Sequence, residues 1–164
     1  MKQRTVYIGL ESNMGDRVAA LRSAVLHLQR IISIQKVSRL YVDAPTGHIR
    51  DDATISAAVC GATQLKPMIL LRELQRIERA LGRPRGVRFG RHQIDLDILF
   101  YDSIQIDTPL LTIPHPRITQ RASMLKPLAE IEPTLVHPAL YYTVSQLLYD
   151  ADDVTEIIVY KPPQ

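Results

Sequence analysis

The sequence predicts an α+β fold of the ferredoxin-like class, a βαββαβ sandwich with additional C-terminal elements. Two segments carry apolar residues at helical spacing, and short runs of apolar and β-branched residues lie before, between and after them. This order of elements is that of a split βαβ arrangement, in which helices cover one face of an antiparallel sheet and the other face stays open to ligands. The 164 residues suit one core, so we expect a single domain over residues 1–164.

The first half of the chain supplies three of the predicted strands. Residues 6–10 form an apolar run, a polar turn follows over 11–16, and a helical stripe runs over 18–32. The β-branched content of residues 34–41 predicts a second strand. A long polar loop over 43–52 separates it from a third strand at 54–63, and we expect that loop to be mobile or to face a substrate.

The second half begins with an amphipathic helix. Pro67 suits its first turn, and Gly82 is where a left-handed cap would end it. A fourth strand is predicted at 94–101, with 104–106 as a hairpin partner. The remaining expectations are helices around 124–131 and 143–149 and a strand at 154–160.

Composition excludes several classes of protein. There is no run of 18 apolar residues to cross a membrane and no N-terminal signal region, and the single cysteine, Cys60, excludes an internal disulfide framework. We therefore expect a cytoplasmic protein with no membrane partner, present as a monomer or weak homo-oligomer.

Positive charge is concentrated between Arg76 and His92, where six arginines and a histidine face one acid, Glu78. Such a block indicates an anionic partner, either a polyphosphate or a nucleic acid, unless it is a solvated helix end and loop. Only Phe89 interleaves the arginines as an aromatic platform, so we expect no nucleic-acid partner.

The most specific feature is a pair of aspartates on the fourth predicted strand. Side chains alternate along a strand, so Asp95 and Asp97 should share one side while Ile94, Leu96 and Ile98 enter the core. Two adjacent carboxylates repel each other, and Mg²⁺ removes that cost while binding substrate phosphates. The alternative is an exposed edge strand with two aspartates of no function.

Phosphate-binding candidates surround this pair in the sequence. The arginine loop, residues 83–92, has Gly86 and Gly90 for flexibility, and its guanidinium groups would neutralise charge in phosphoryl transfer. His115 lies between two prolines that restrict its backbone, and Arg121 is a further candidate for a phosphate ligand. No G-x-x-x-x-G-K-[ST] loop and no nucleophilic serine or cysteine signature is present. The alternative for each candidate is an ordinary turn or surface residue that binds no phosphate.

The chain resembles the 6-hydroxymethyl-7,8-dihydropterin pyrophosphokinase family of folate biosynthesis over nearly all residues up to 140. The resemblance rests on the segments YIGLESNMGD at 7–16, QRIE at 75–78, LGRPR at 81–85, IDLDIL at 94–99 and LTIPHP at 111–116, followed by Arg121 and MLKPL at 124–128. It implies a single pyrophosphokinase domain, ATP as co-substrate and two Mg²⁺ ions, with an acceptor hydroxyl attacking the β-phosphorus and AMP leaving.

By position, the resemblance implies a role for each matching residue. Asp95 and Asp97 would bind metal, and the catalytic residues would be Arg83, Arg85, His92 and Asp97. The ATP-binding residues would be Leu71, Gln75, Glu78, Arg83, Arg85, Ile98, Thr112, His115 and Arg121. The acceptor-binding residues would be Asp43, Pro45, Thr46, Thr54, Ser56, Phe89 and Ser123.

The departures from the family pattern gather in the acceptor pocket. The family has aromatic residues at the positions of Thr54 and Ser123, an asparagine at that of Ser56, and a threonine at that of Asp43. Gly90-Arg91-His92 stands in place of Gly-Pro-Arg. We therefore keep three readings: the folate enzyme itself, a paralogous pyrophosphokinase for a modified pterin or another hydroxymethyl heterocycle, and a catalytically silent nucleotide-binding protein.

Overall fold

The structure, a computed structural model, describes residues 2–44, 47, 53–82, 93–152 and 154–163. Its regular elements, in chain order, are β1 Arg4–Ser12, α1 Arg17–Leu28, β2 Ser33–Val37, β3 Tyr41–Asp43, β4 Ile55–Thr63, α2 Pro67–Ala80, β5 Asp95–Tyr101, β6 Ile106–Asp107, β7 Thr112–Ile113, α3 Ala122–Ile131, α4 Val144–Tyr149 and β8 Ile157–Val159. A short 3₁₀ turn, Val154–Glu156, precedes β8.

The main sheet has the strand order β5-β1-β4-β3-β8, and β2 also pairs with β4. All of these pairings are antiparallel. The order is the predicted ferredoxin-like arrangement, extended at one edge by β8. The α+β fold class is therefore confirmed.

Both faces of the sheet carry helices, so the expectation of one open face was wrong. Ile8, Leu10 and Leu96 belong to a core that α1 and α2 cover on one face. On the other face α3 packs on β4 and β3, and Phe100 and Leu125 share a second apolar core there. The C-terminal apolar residues supply this second layer.

The predicted second strand, 34–41, is two strands, β2 and β3. Ser38 interrupts it because its hydroxyl donates to the carbonyl of Arg39 and accepts from the backbone N–H of Ala58, at 2.7 and 2.9 Å. These side-chain bonds replace regular ladder bonds at this point.

Two further predictions of strands needed correction. Ile106 pairs with Ile113 in a separate two-stranded sheet, since a turn at Tyr101–Ile104 directs the chain away from β5. The predicted strand at 154–160 is shorter, because a 3₁₀ turn takes its first residues. Gly82 does have a positive φ, 105°, as its predicted capping role requires. Within the described residues, no helix is long and apolar enough to span a membrane.

Candidate active site

A row of polar residues crosses three strands at one end of the sheet. Asp95 of β5, Glu11 of β1 and Ser56 of β4 lie directly opposite one another in the strand register. Directly opposed residues project to the same face. Asp97 lies two residues along from Asp95, opposite Gly9, so both aspartates share this face. Ile94, Leu96 and Ile98 are at most 4% exposed in the core below, so the predicted alternation is confirmed.

The carboxylates of this row disfavour one another's charge. Burial raises the pKa of Asp97 well above its usual value. The charge of Asp95, a hydrogen bond with it, and the charges of Glu11 and Glu78 raise that pKa further. A hard divalent cation that takes oxygen ligands would remove this repulsion, so the donor set fits Mg²⁺.

In the described part of the chain, no three His, Cys, Asp or Glu side chains are arranged to hold a metal ion. Mg²⁺ is usually bound by one or two carboxylates together with substrate phosphates and water. The aspartate pair is therefore suited to a metal that arrives with a phosphate ligand.

His115 lies beside this pair as a neutral hydrogen-bond donor. Its backbone N–H donates to the carbonyl of Leu99 at 3.0 Å, which ties the loop to β5. Its Nδ1 accepts from the N–H of Arg117 at 3.1 Å, so the ring proton is on Nε2, 3.7 Å from Oδ1 of Asp97. Burial, and then the charge of Arg121, lowers the pKa of His115 to about 4. The ring is thus uncharged near pH 7 and can donate to a phosphate oxygen.

Glu11 lies in the site but was not among the residues predicted for it. The structure extends β1 to Ser12, so the predicted polar turn began one residue into a strand, and Glu11 is only 5% exposed. Its carboxylate accepts from Nη2 of Arg121 at 2.9 and 3.1 Å and from the hydroxyl of Ser123 at 3.0 Å. The signal that would have found it is period-2 alternation, which continues through Tyr7, Gly9 and Glu11 on one face.

Glu78, on α2, binds the backbone of β5, the strand that carries the two aspartates. It is 7% exposed on α2, and its Oε2 accepts from the backbone N–H of Leu96 at 2.8 Å. Leu96 lies between the two aspartates, so this bond fixes the backbone that carries them. The resemblance predicts that Glu78 lines the ATP site, and that role stays a prediction.

The other predicted ATP residues are divided between this face of the sheet and the opposite face, which α2 covers. Leu71 and Gln75 precede Glu78 at helical spacing and are half-buried. Ile98 is in the core on the opposite face from Asp97. Thr112 and His115 both line an open cavity of about 450 Å³. Their roles in binding ATP stay predictions.

The predicted acceptor residues are partly brought together. Ser56 lies opposite Glu11, and Ser123 is hydrogen-bonded to it. The N–H of Asp43 donates to the carbonyl of Thr54 at 3.0 Å, two residues before Ser56. The remaining predicted residues lie outside the described part of the chain: Pro45, Thr46, Arg83, Arg85, Phe89 and His92.

The fold has counterparts among solved structures. A Plasmodium falciparum HPPK-DHPS triple mutant with SDX-DHP superposes with a TM-score of 0.73 at 16% identity, covering 96% of this chain and 48% of that one. An HPPK-DHPS complex with substrates gives 0.73 at 14% identity, covering 91% and 43%. This chain spans about half the length of those fused chains. The class is thus a ferredoxin-like α+β protein with a polar site at one end of its sheet.

The sequence comparisons define the family. The family model described as 7,8-dihydro-6-hydroxymethylpterin-pyrophosphokinase matches residues 7–133. A Bacillus subtilis protein named 2-amino-4-hydroxy-6-hydroxymethyldihydropteridine pyrophosphokinase is 44% identical over 127 residues, 76% of each chain. A protein of the same name from Aquifex aeolicus is 36% identical over 134 residues, 82% of this chain and 84% of its own. The chain belongs to the 7,8-dihydro-6-hydroxymethylpterin-pyrophosphokinase family.

Proposed function

We propose that this protein transfers a diphosphate group from ATP to the hydroxymethyl group of 6-hydroxymethyl-7,8-dihydropterin in folate or related pterin biosynthesis. The acceptor oxygen attacks the β-phosphorus, the bond from that phosphorus to the oxygen of the α-phosphate breaks, AMP leaves, and the hydroxyl proton is lost. The observation that carries the proposal is the shared face of Asp95 and Asp97, with His115 3.7 Å from Asp97, in a chain of this family.

Each residue of the site has a distinct part in this proposal. Asp95 and Asp97 would hold Mg²⁺, and two ions would be present when ATP is bound. When bound, magnesium supplies charge neutralisation on the phosphate oxygens. His115 donates its Nε2–H to a phosphate oxygen and stays neutral, since its pKa is about 4.

Cationic groups complete the proposed site. Arg121 binds phosphate through its guanidinium. Arg83, Arg85 and His92 neutralise charge on the transferred group. These three residues lie outside the described part of the chain. Catalysis then depends mainly on alignment and charge neutralisation. We place the protein in the cytoplasm as a monomer or weak homo-oligomer.

A turnover assay tests this proposal. The protein is incubated with ATP, Mg²⁺ and 6-hydroxymethyl-7,8-dihydropterin, and nucleotides and pterins are separated by chromatography. We expect AMP and pterin diphosphate in equal amounts, and neither when EDTA is added. Release of ADP, or AMP release that does not require the acceptor, would contradict diphosphate transfer.

A second candidate function is favoured by the small polar acceptor residues. Ser123 is hydrogen-bonded to a buried carboxylate and therefore offers no flat apolar surface to a ring. Thr54 and Ser56 likewise carry no aromatic group. A paralogous pyrophosphokinase for a more polar hydroxymethyl heterocycle fits these side chains. Turnover of such a compound at a lower KM than the pterin would support it.

Restoring one aromatic group separates these two functions. Thr54 is half-buried, just before β4, and Thr54→Tyr would supply the stacking partner that the family has at this position. A stacked ring contributes about 0.5–1.5 kcal/mol, so the KM for the pterin should fall roughly two- to tenfold. Thr54→Val is the matched control, because it changes the side chain without adding a ring. An unchanged or higher KM in Thr54→Tyr would show that no pterin ring lies against this position.

A further inference from the structure

Glu11 is a buried carboxylate that the proposed mechanism does not use. It lies at the end of β1 between Asp95 and Ser56, and its side chain is 7% exposed. A buried charge is costly unless it is paired and hydrogen-bonded. Burial raises the pKa of Glu11, and the charge of Arg121 and the hydroxyl of Ser123 oppose that rise. Glu11 is therefore costly to bury as a charged group, and the neighbouring carboxylates of Asp95 and Asp97 add to that cost.

Arg121 is held by Glu11 through one nitrogen only. Nη2 donates to both carboxylate oxygens, at 2.9 and 3.1 Å, and makes a longer contact of 3.5 Å with the hydroxyl of Ser123. These are the hydrogen bonds of this guanidinium within the described residues, so its Nε and Nη1 groups remain available. The Arg121 side chain is 34% exposed, whereas Glu11 is enclosed. The pair thus consists of an enclosed carboxylate, that of Glu11, and a partly exposed guanidinium, that of Arg121.

The partly exposed guanidinium of Arg121 lies near the predicted phosphate site. Its charge is close enough to His115 to lower the pKa of that imidazole. His115 in turn is 3.7 Å from Asp97. Glu11, which binds Nη2 of Arg121, lies directly opposite Asp95 in the strand register, so the Arg121 guanidinium lies at the same end of the sheet as the groups proposed to bind phosphate and metal. Arg121 also immediately precedes α3, so its backbone is fixed by the second layer of helices.

We propose that Glu11 is a positioning residue for Arg121. It fixes the guanidinium through Nη2, so that the remaining N–H groups meet a phosphate of ATP without first being ordered. This inference rests on the proposed function, since it takes Arg121 as a phosphate ligand. Pre-ordering matters because a flexible arginine loses side-chain entropy when it binds.

The test compares Glu11→Gln, Arg121→Ala and the double variant in steady-state kinetics with ATP and the acceptor. Gln keeps the shape and one acceptor oxygen but removes the charge that holds Nη2. A hydrogen bond to a charged partner is worth enough for about a tenfold change. We expect Glu11→Gln to raise the KM for ATP about tenfold and to change the acceptor KM less, because Gln keeps an oxygen that accepts from Ser123. Arg121→Ala should cost more, and adding Glu11→Gln to it should cost nothing further.

Controls separate positioning from folding. Glu132→Gln is the matched control, because Glu132 pairs with Lys36 at 3.0 Å on the surface, and it should leave both KM values unchanged. Glu11→Asp keeps the charge but shortens its reach, so its ATP KM should lie between those of the wild type and Glu11→Gln. Melting temperatures of all variants give the folded fraction at the assay temperature, and Glu11→Asp carries the test if Glu11→Gln is not folded.

Three outcomes would overturn the proposal. A lower KM for ATP in Glu11→Gln would mean that the pair withholds Arg121 from phosphate. Additive losses in the double variant would mean that Glu11 acts independently of Arg121. Full activity of Arg121→Ala would remove its role as a phosphate ligand. AMP release by the wild-type protein would still support diphosphate transfer in each case, so failure of this inference is distinct from failure of the proposed function.

Discussion

Replacing Asp97 with asparagine is expected to lower diphosphate transfer by roughly three powers of ten while leaving the protein folded. A bound metal contributes several kcal/mol of charge stabilisation to the transition state, and each 1.36 kcal/mol is a factor of ten in rate. Asn keeps the shape of the side chain but loses the charge that is proposed to bind the metal. The measurement is kcat for AMP release at saturating Mg²⁺.

The same substitution should stabilise the protein in the absence of Mg²⁺. The pKa of Asp97 is raised in the folded state by burial and by Asp95, so its charge is disfavoured by folding near pH 7. The free energy of unfolding of the wild type should therefore fall as pH rises through that raised pKa, and this fall should be smaller in Asp97→Asn.

A matched control for this prediction is Asp150→Asn, at the exposed end of α4, which should change neither activity nor stability. Loss of activity together with loss of the fold in Asp97→Asn would contradict a role in metal binding. Retained activity would exclude Asp97 as a ligand.

Replacing Glu78 with alanine is expected to destabilise the protein by about 2–3 kcal/mol. The backbone N–H of Leu96 would lose its 2.8 Å partner in a buried position. For a chain of this size, that loss lowers the melting temperature by roughly 4–12 °C. Because Leu96 separates the two aspartates, activity should also fall by about tenfold or more at temperatures where the variant is folded.

Two substitutions separate the charge of Glu78 from its hydrogen bond. Glu78→Gln keeps an acceptor oxygen and should lose less than about 1 kcal/mol. Glu73→Ala removes a carboxylate from the same helix, where its surface pair with Arg76 at 3.4 Å contributes little, and should be close to neutral. Equal losses in Glu78→Ala and Glu78→Gln would show that the hydrogen bond to Leu96 is not what Glu78 supplies.

The alternation of side chains along β5 predicted that Asp95 and Asp97 share a face, because that geometry depends on one strand alone. The apolar neighbours Leu96 and Ile98 identify the core face, and the position of Asp95 and Asp97 follows. The end of α2 could be predicted for a similar reason, since Gly82 adopts a positive φ at a helix terminus.

The parts that could not be predicted depend on contacts between distant segments. Glu11 and Arg121 are 110 residues apart, so the alternation that places Glu11 on the site face does not indicate which residue its carboxylate binds. The hydrogen bond that Glu78 accepts from the N–H of Leu96 could not be predicted, because a backbone group has no signature in the sequence. The helix α3 could be predicted, but its placement on the supposedly open face is set by packing across the sheet.

The most direct test of the central claim is a crystal structure with Mn²⁺ in place of Mg²⁺ and an ATP analogue whose α,β-bridging oxygen is a methylene group. Manganese can be identified by its anomalous scattering. We predict metal between the carboxylates of Asp95 and Asp97 and the phosphate oxygens of the analogue. Metal bound only to the phosphates, with neither aspartate as a ligand, would contradict the account.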